Sequence, residues 1–194
     1  MVRIIIPVIG ILFWLYGLSV LHRAKTAGFY FWWGCIGLFI ILANGIHTYL
    51  FWGMPHLVTS VMAIVANATH WFTVNLSDNL LNVALGHTRI QIFINYECSG
   101  VIEFVAYESM LIFYPIYHWW EKLLLSFAGI LWILLANVCR LGIVLLIIEK
   151  WGSSYLFVAH AFIGRLFFYF VVIILYYTVF TRSQLVKGWI GRKR

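Results

Sequence analysis

Apolar residues dominate five stretches of this chain. They run from about Ile4 to Leu21, Phe29 to Phe51, Gly100 to Ile116, Leu123 to Ile148 and Ala161 to Phe180. A helix needs roughly 20 consecutive apolar residues to cross a bilayer, so the pattern predicts about five transmembrane helices. Short connections such as His118-Trp119-Trp120-Glu121-Lys122 predict antiparallel hairpins between consecutive helices. Trp32, Trp33, Trp119, Trp120, Trp151 and Tyr155 fall where helix ends meet an interface.

Two stretches between the second and third runs read differently. Over 54–80, Leu57, Val58, Val61, Met62, Val65, Ala68 and Phe72 recur at helical spacing opposite His56, Ser60, Ala63, Asn67 and His70. That periodicity predicts an amphipathic helix lying in the membrane interface, with a further span as the alternative. Next, Ile90, Ile92, Ile94 and Tyr96 alternate after a possible two-residue turn at Gly86-His87. A short extracellular β-hairpin is expected there.

Composition supports the bilayer reading. The chain has 194 residues, of which 64% are hydrophobic and only 10% charged, and this makes a soluble domain untenable. The fold class is therefore an all-α polytopic membrane protein, a single integral-membrane domain over 1–194. The first run carries no Ala-x-Ala cleavage signature and is read as a retained span. A net charge of +7 suggests nucleic acid, but the cations cluster beside the apolar runs, as topology signals do, and no nucleic-acid partner is expected.

The basic tail (Arg182, Lys187, Arg192, Lys193, Arg194) places the C-terminus in the cytoplasm. Counting back over five spans puts Arg23, Lys25 and Lys122 on the same side, with Arg3, Arg89 and Lys150 outside. Arg140 and Arg165 remain within spans. If 54–80 crosses the membrane, the N-terminal half flips and the C-terminal half does not.

This topology gathers chemistry at the outer end of the bundle. Cys98 opens the third span and His160 lies at the start of the last. Arg140 lies roughly 25 Å along a helix that starts from the cytoplasmic side, in the outer half of a core about 30 Å thick. A cysteine, a cation and a histidine on one face suit a nucleophile, a fixed positive charge and a general acid/base. Each also has an ordinary reading. Cys98 is a small hydrophobe in an apolar chain, as Cys35 and Cys139 are expected to be. Arg140 is a structural ion-pair member with Glu108 as partner, and His160 is one of seven histidines. Glu103 and Arg165 are expected to form a structural ion pair across helices. No ligand cluster for a metal and no nucleotide or cofactor motif occurs, so neither a metal nor a cofactor is expected.

The ordered set Glu97-Cys98-Ser99-Gly100, Asn137-Val138-Cys139-Arg140 and Ala159-His160 resembles the exosortase/archaeosortase family of membrane cysteine enzymes. The resemblance covers about 80–180, the expected catalytic core, and the chain is similar to compact forms from a Gram-positive branch. It implies Cys98 as nucleophile, with Arg140 and His160 catalytic and Glu97, Ser99, Gly100 and Asn137 supporting. It also implies a substrate protein anchored in the membrane by a C-terminal sorting signal, cleaved at the outer face. The acceptor would be an amine, a lipid or water. The hairpin and interfacial helix are expected to form the substrate groove. The competing reading is a non-enzymatic assembly or transport subunit in which Arg140 is a structural ion-pair member.

Overall fold

The computed structural model describes residues 2–45, 47–85, 88–95 and 98–184. Its elements are α1 (Val2–Arg23), α2 (Ala27–Gly45), α3 (His47–Thr69), β1 (Thr73–Asn75), β2 (Leu80–Leu85), β3 (Thr88–Phe93), α4 (Val101–Phe113) and α5 (Trp119–Trp151). A C-terminal helix follows over Ser153–Gln184. Among the described residues three helices are long and apolar enough to cross a membrane: Ala27–Asn44 in α2, Trp119–Trp151, and Ser153–Gln184. Helix α1 has 22 residues and is apolar along its length. Helix α4 has 13 residues, about 20 Å of rise, less than the roughly 30 Å of a hydrocarbon core. The expected third span is thus a shorter helix.

The helices interlock through glycine notches. Trp14 and Trp33 each donate an indole N–H to the other's carbonyl, at 3.0 and 3.2 Å. Each ring fills the space a side chain would need at Gly37 or Gly17. The ring of Phe113 fills the same kind of notch at Gly34, which fastens α4 to α2. Deeper in the bundle, Tyr107 packs against Gly129 and donates its hydroxyl to the Leu125 carbonyl at 2.8 Å.

Helix α5 organises the core. Its buried residues Gly129, Ile133, Ala136, Asn137, Arg140, Leu141, Val144, Leu145 and Ile148 form one stripe at three- and four-residue spacing. Leu124, Phe127, Leu131 and Leu135 on the opposite side are exposed, as a lipid-facing surface requires. One half of the stripe packs with Tyr107, Leu111, Phe168 and Val172. The other half packs with Val58 and Met62 of α3, with the sheet, and with Cys98 and Ala159.

The segment expected as one helix over 54–80 is a helix followed by a turn and a strand. Helix α3 starts earlier and stops at Thr69, because His70 adopts a left-handed conformation (φ 57°). Asn75 then forms a turn, its Oδ1 accepting from the Ser77 N–H at 3.1 Å. The inward face of α3 is Met54, Val58, Met62 and Ala66, whereas Leu57 and Ala68 point outward. The hairpin is present and gains a third strand, in the order β1-β2-β3, all antiparallel. Its register pairs Leu81 with Ile92 and Val83 with Ile90. These four residues and Ile94 turn into the core, while Gln91 and Phe93 face outward. The Gly86-His87 turn and Tyr96 lie outside the described residues.

Candidate active site

Between β3 and α4 the chain turns sharply, and Cys98 sits in that turn. Its N–H donates to the carbonyl and to the Oδ1 of Asn95, both at 3.1 Å. Its carbonyl accepts from Asn137 Nδ2 at 2.6 Å. The main chain of Cys98 is therefore clamped from both sides. Gly100, in the left-handed region at φ 75°, turns the chain into α4. A Cβ there would lie 3.0 Å from Ile133 Cγ2 and 3.2 Å from Phe168 Cζ, so conformation and space both demand glycine.

The Cys98 sulfur faces two long helices. His160 Nε2 lies 3.2 Å from Sγ, within reach for proton transfer. Arg140 Nη2 lies 3.9 Å from the same sulfur. Arg140 is 3% exposed, and its guanidinium lies over the Phe168 ring, 5.7 Å from its centroid. A buried cation at this distance favours negative charge on sulfur, or on an oxygen developing beside it.

His160 belongs to a π-helical turn, Ala159–Ile163. Such turns are rare and frequent at functional sites, because the extra residue re-aims one side chain. Directly after it, Gly164 lets the C-terminal helix approach α5. A Cβ at that position would lie 3.1 Å from the Ala159 carbonyl oxygen and 3.3 Å from Arg140 Cγ.

Three buried polar atoms around the sulfur have no hydrogen-bond partner among the described residues: Asn137 Oδ1, Arg140 Nε and His160 Nδ1. Buried polar groups are nearly always paired. All three belong to residues that contact Cys98 through another atom.

Cys98, Arg140, His160 and Asn137 are thus brought together, as the sequence reading expected. Ser99 and Gly100 are buried in the same turn. Glu97 lies outside the described residues. Glu103 and Arg165 form no ion pair. Glu103 is half-buried, its carbonyl accepting from Tyr176 Oη at 3.3 Å, and Arg165 is exposed. Glu108, the possible partner of Arg140, accepts instead from Ser126 Oγ at 2.7 Å. His22, His56, His70 and His118 are exposed elsewhere, and Cys139 points away from the stripe that carries Arg140. No group of three metal-ligating side chains occurs among the described residues.

Sequence reading missed Asn95, Phe168 and Gly164. The signal for Asn95 was its place three residues before Cys98, where an Asx side chain caps a turn. Phe168 and Gly164 carried none, because their roles arise only from how the C-terminal helix packs on α5. No curated protein and no solved structure matches the chain. A family model does match, over residues 2–177, nearly the full length and with all of these site residues inside it, and the chain belongs to the transmembrane exosortase family.

Proposed function

We propose that this chain is a protein-sorting cysteine transpeptidase, with Cys98 as nucleophile, Arg140 as electrostatic stabiliser and His160 as general base and acid. The observation that carries the reading is the Cys98 sulfur lying 3.2 Å from His160 Nε2 and 3.9 Å from a buried arginine. Its substrate is a membrane-anchored protein with a C-terminal sorting signal, cleaved at the extracytoplasmic face. The C-terminus of the enzyme is cytoplasmic, and α1 and α4 complete a five-span bundle with the three longer helices.

In the first half-reaction His160 Nε2 takes the thiol proton, and the thiolate adds to the scissile carbonyl. The oxyanion develops beside the Arg140 guanidinium, which needs no reorganisation to receive it. The tetrahedral species collapses to a thioester while His160 returns its proton to the leaving amine. In the second half-reaction an acceptor amine, lipid hydroxyl or water loses a proton to His160 and attacks the thioester. Cys98 leaves as thiolate, recovers the proton, and the enzyme is regenerated. No cofactor is required for either half.

The assembly-subunit alternative pairs Arg140 with Glu108. Glu108 instead accepts from Ser126, and Arg140 Nη2 lies 3.9 Å from the thiol, which favours the enzymatic reading. The test compares C-terminal peptides of surface proteins from cells carrying wild type or Cys98→Ala at matched membrane levels. Retention of a C-terminal helix in the variant, with its loss in wild type, supports the proposal. Identical peptides in both contradict it.

A further inference from the structure

Strand β3 stands at one edge of the sheet, paired only with β2 among the described residues. The bond from the Ile94 N–H to the Asn79 carbonyl, 2.9 Å, fixes which residues pair across β2 and β3. In an antiparallel ladder hydrogen-bonded and non-bonded pairs alternate. Ile92 and Ile90 therefore bond back to β2, and Gln91 and Phe93 direct their N–H and C=O groups away from it. No hydrogen bond to these outward groups exists among the described residues. Such an edge is a template for another extended chain.

The edge leads to the nucleophile. Phe93 is 58% exposed, and two residues beyond it Asn95 begins the turn that holds Cys98. Against the Cys98 sulfur stand His160 Nε2 at 3.2 Å and Arg140 Nη2 at 3.9 Å. A peptide hydrogen-bonded along β3 runs toward the turn that holds this sulfur.

We infer that the substrate binds by strand addition: an extended segment of the membrane-anchored protein pairs with the free edge of β3 and delivers its scissile bond to Cys98. This deepens the sorting reading and rests on it. Main-chain bonds to Gln91 and Phe93 supply affinity that tolerates varied side chains. A bare edge does not occur within hydrocarbon, so the pairing takes place at the membrane boundary, where an anchored substrate emerges from its helix.

The test is Gln91→Pro, which removes an outward N–H and leaves the β2–β3 ladder bonds in place. It is compared with Gln91→Ala in the native host. One readout is trimming of the host's own membrane-anchored proteins, and the other is maleimide labelling of Cys98, which reports the fold independently of activity. The expected result is trimming at least tenfold lower with proline than with alanine, with labelling rates within about twofold. Equal trimming in the two variants overturns the inference while leaving the sorting reading intact. Absence of trimming in wild type overturns both. A second measurement places the photoactivatable residue benzoylphenylalanine at position 91 in a Cys98→Ala background. It should cross-link to the C-terminal segments of proteins trimmed by wild type, and the same residue at exposed Leu124 should not. Cross-links between two copies of this chain, or to unrelated lipid-facing helices, overturn it.

Discussion

Asn137 Nδ2 lies 2.6 Å from the carbonyl oxygen of Cys98, so α5 grips the main chain of the residue whose sulfur it faces, one turn away, through Arg140. Register between the nucleophile and the cation is fixed within one helix. Asn137→Ala removes a buried bond and should slow substrate trimming by roughly 10- to 100-fold, in line with the 1–3 kcal/mol cost of a lost buried partner. Protein levels in the membrane should change little. Quantifying trimmed and untrimmed C-terminal peptides against enzyme abundance checks this.

Arg140→Ala should cost more, about 10²- to 10³-fold in turnover, the usual loss when one oxyanion donor is removed. Arg140→Lys should recover only part of it. An ammonium lacks the planar fork and the stacking that Arg140 has on Phe168. Turnover rates of the purified variants on a peptide drawn from a trimmed protein are the measurement.

Gly164→Ala adds a methyl group 3.1 Å from the Ala159 carbonyl oxygen and 3.3 Å from Arg140 Cγ. The two helices must separate by a few tenths of an ångström, and His160 sits in the turn that moves. Activity should fall about tenfold or more, because small misplacements at a reacting centre are costly. The maleimide reactivity of Cys98 should rise as the turn loosens. Unchanged activity would mean that the π-helical turn absorbs the methyl group without moving His160.

The first two helices offer a contrast. Trp14→Ala empties the notch at Gly37 and breaks one of the paired indole bonds. It should destabilise the protein by about 2 kcal/mol and lower its melting temperature in detergent by roughly 4–8 °C. Trimming per folded molecule should stay near wild type, since neither tryptophan touches the site.

Much of this arrangement was legible in the chain itself. Alternation at Ile90, Ile92 and Ile94 set the strand face, and the depth of Arg140 in an apolar run set it near Cys98. The order of the Cys, Asn-x-x-Arg and His segments predicted which residues meet. Other features depend on contacts that no local pattern encodes. Helix α3 ends at Thr69 because His70 turns left-handed, although apolar spacing continues to Phe72. Glu103 and Arg165 look complementary along the chain, yet Arg165 points outward while Glu103 is half-buried. The chain pattern around His160 does not announce its π-helical turn, and a uniform helical repeat misplaces the residues after it by about one position.

The central claim, that the Cys98 sulfur forms a covalent bond to substrate, is tested most directly by acid-quenching membranes during turnover and mapping acyl adducts by mass spectrometry. The account predicts a hydroxylamine-releasable adduct on Cys98, its acyl part ending at the residue where trimmed surface proteins end. Cys35 and Cys139 should be unmodified. Trimmed proteins that accumulate while Cys98 stays free, together with undiminished trimming in Cys98→Ala, would contradict it.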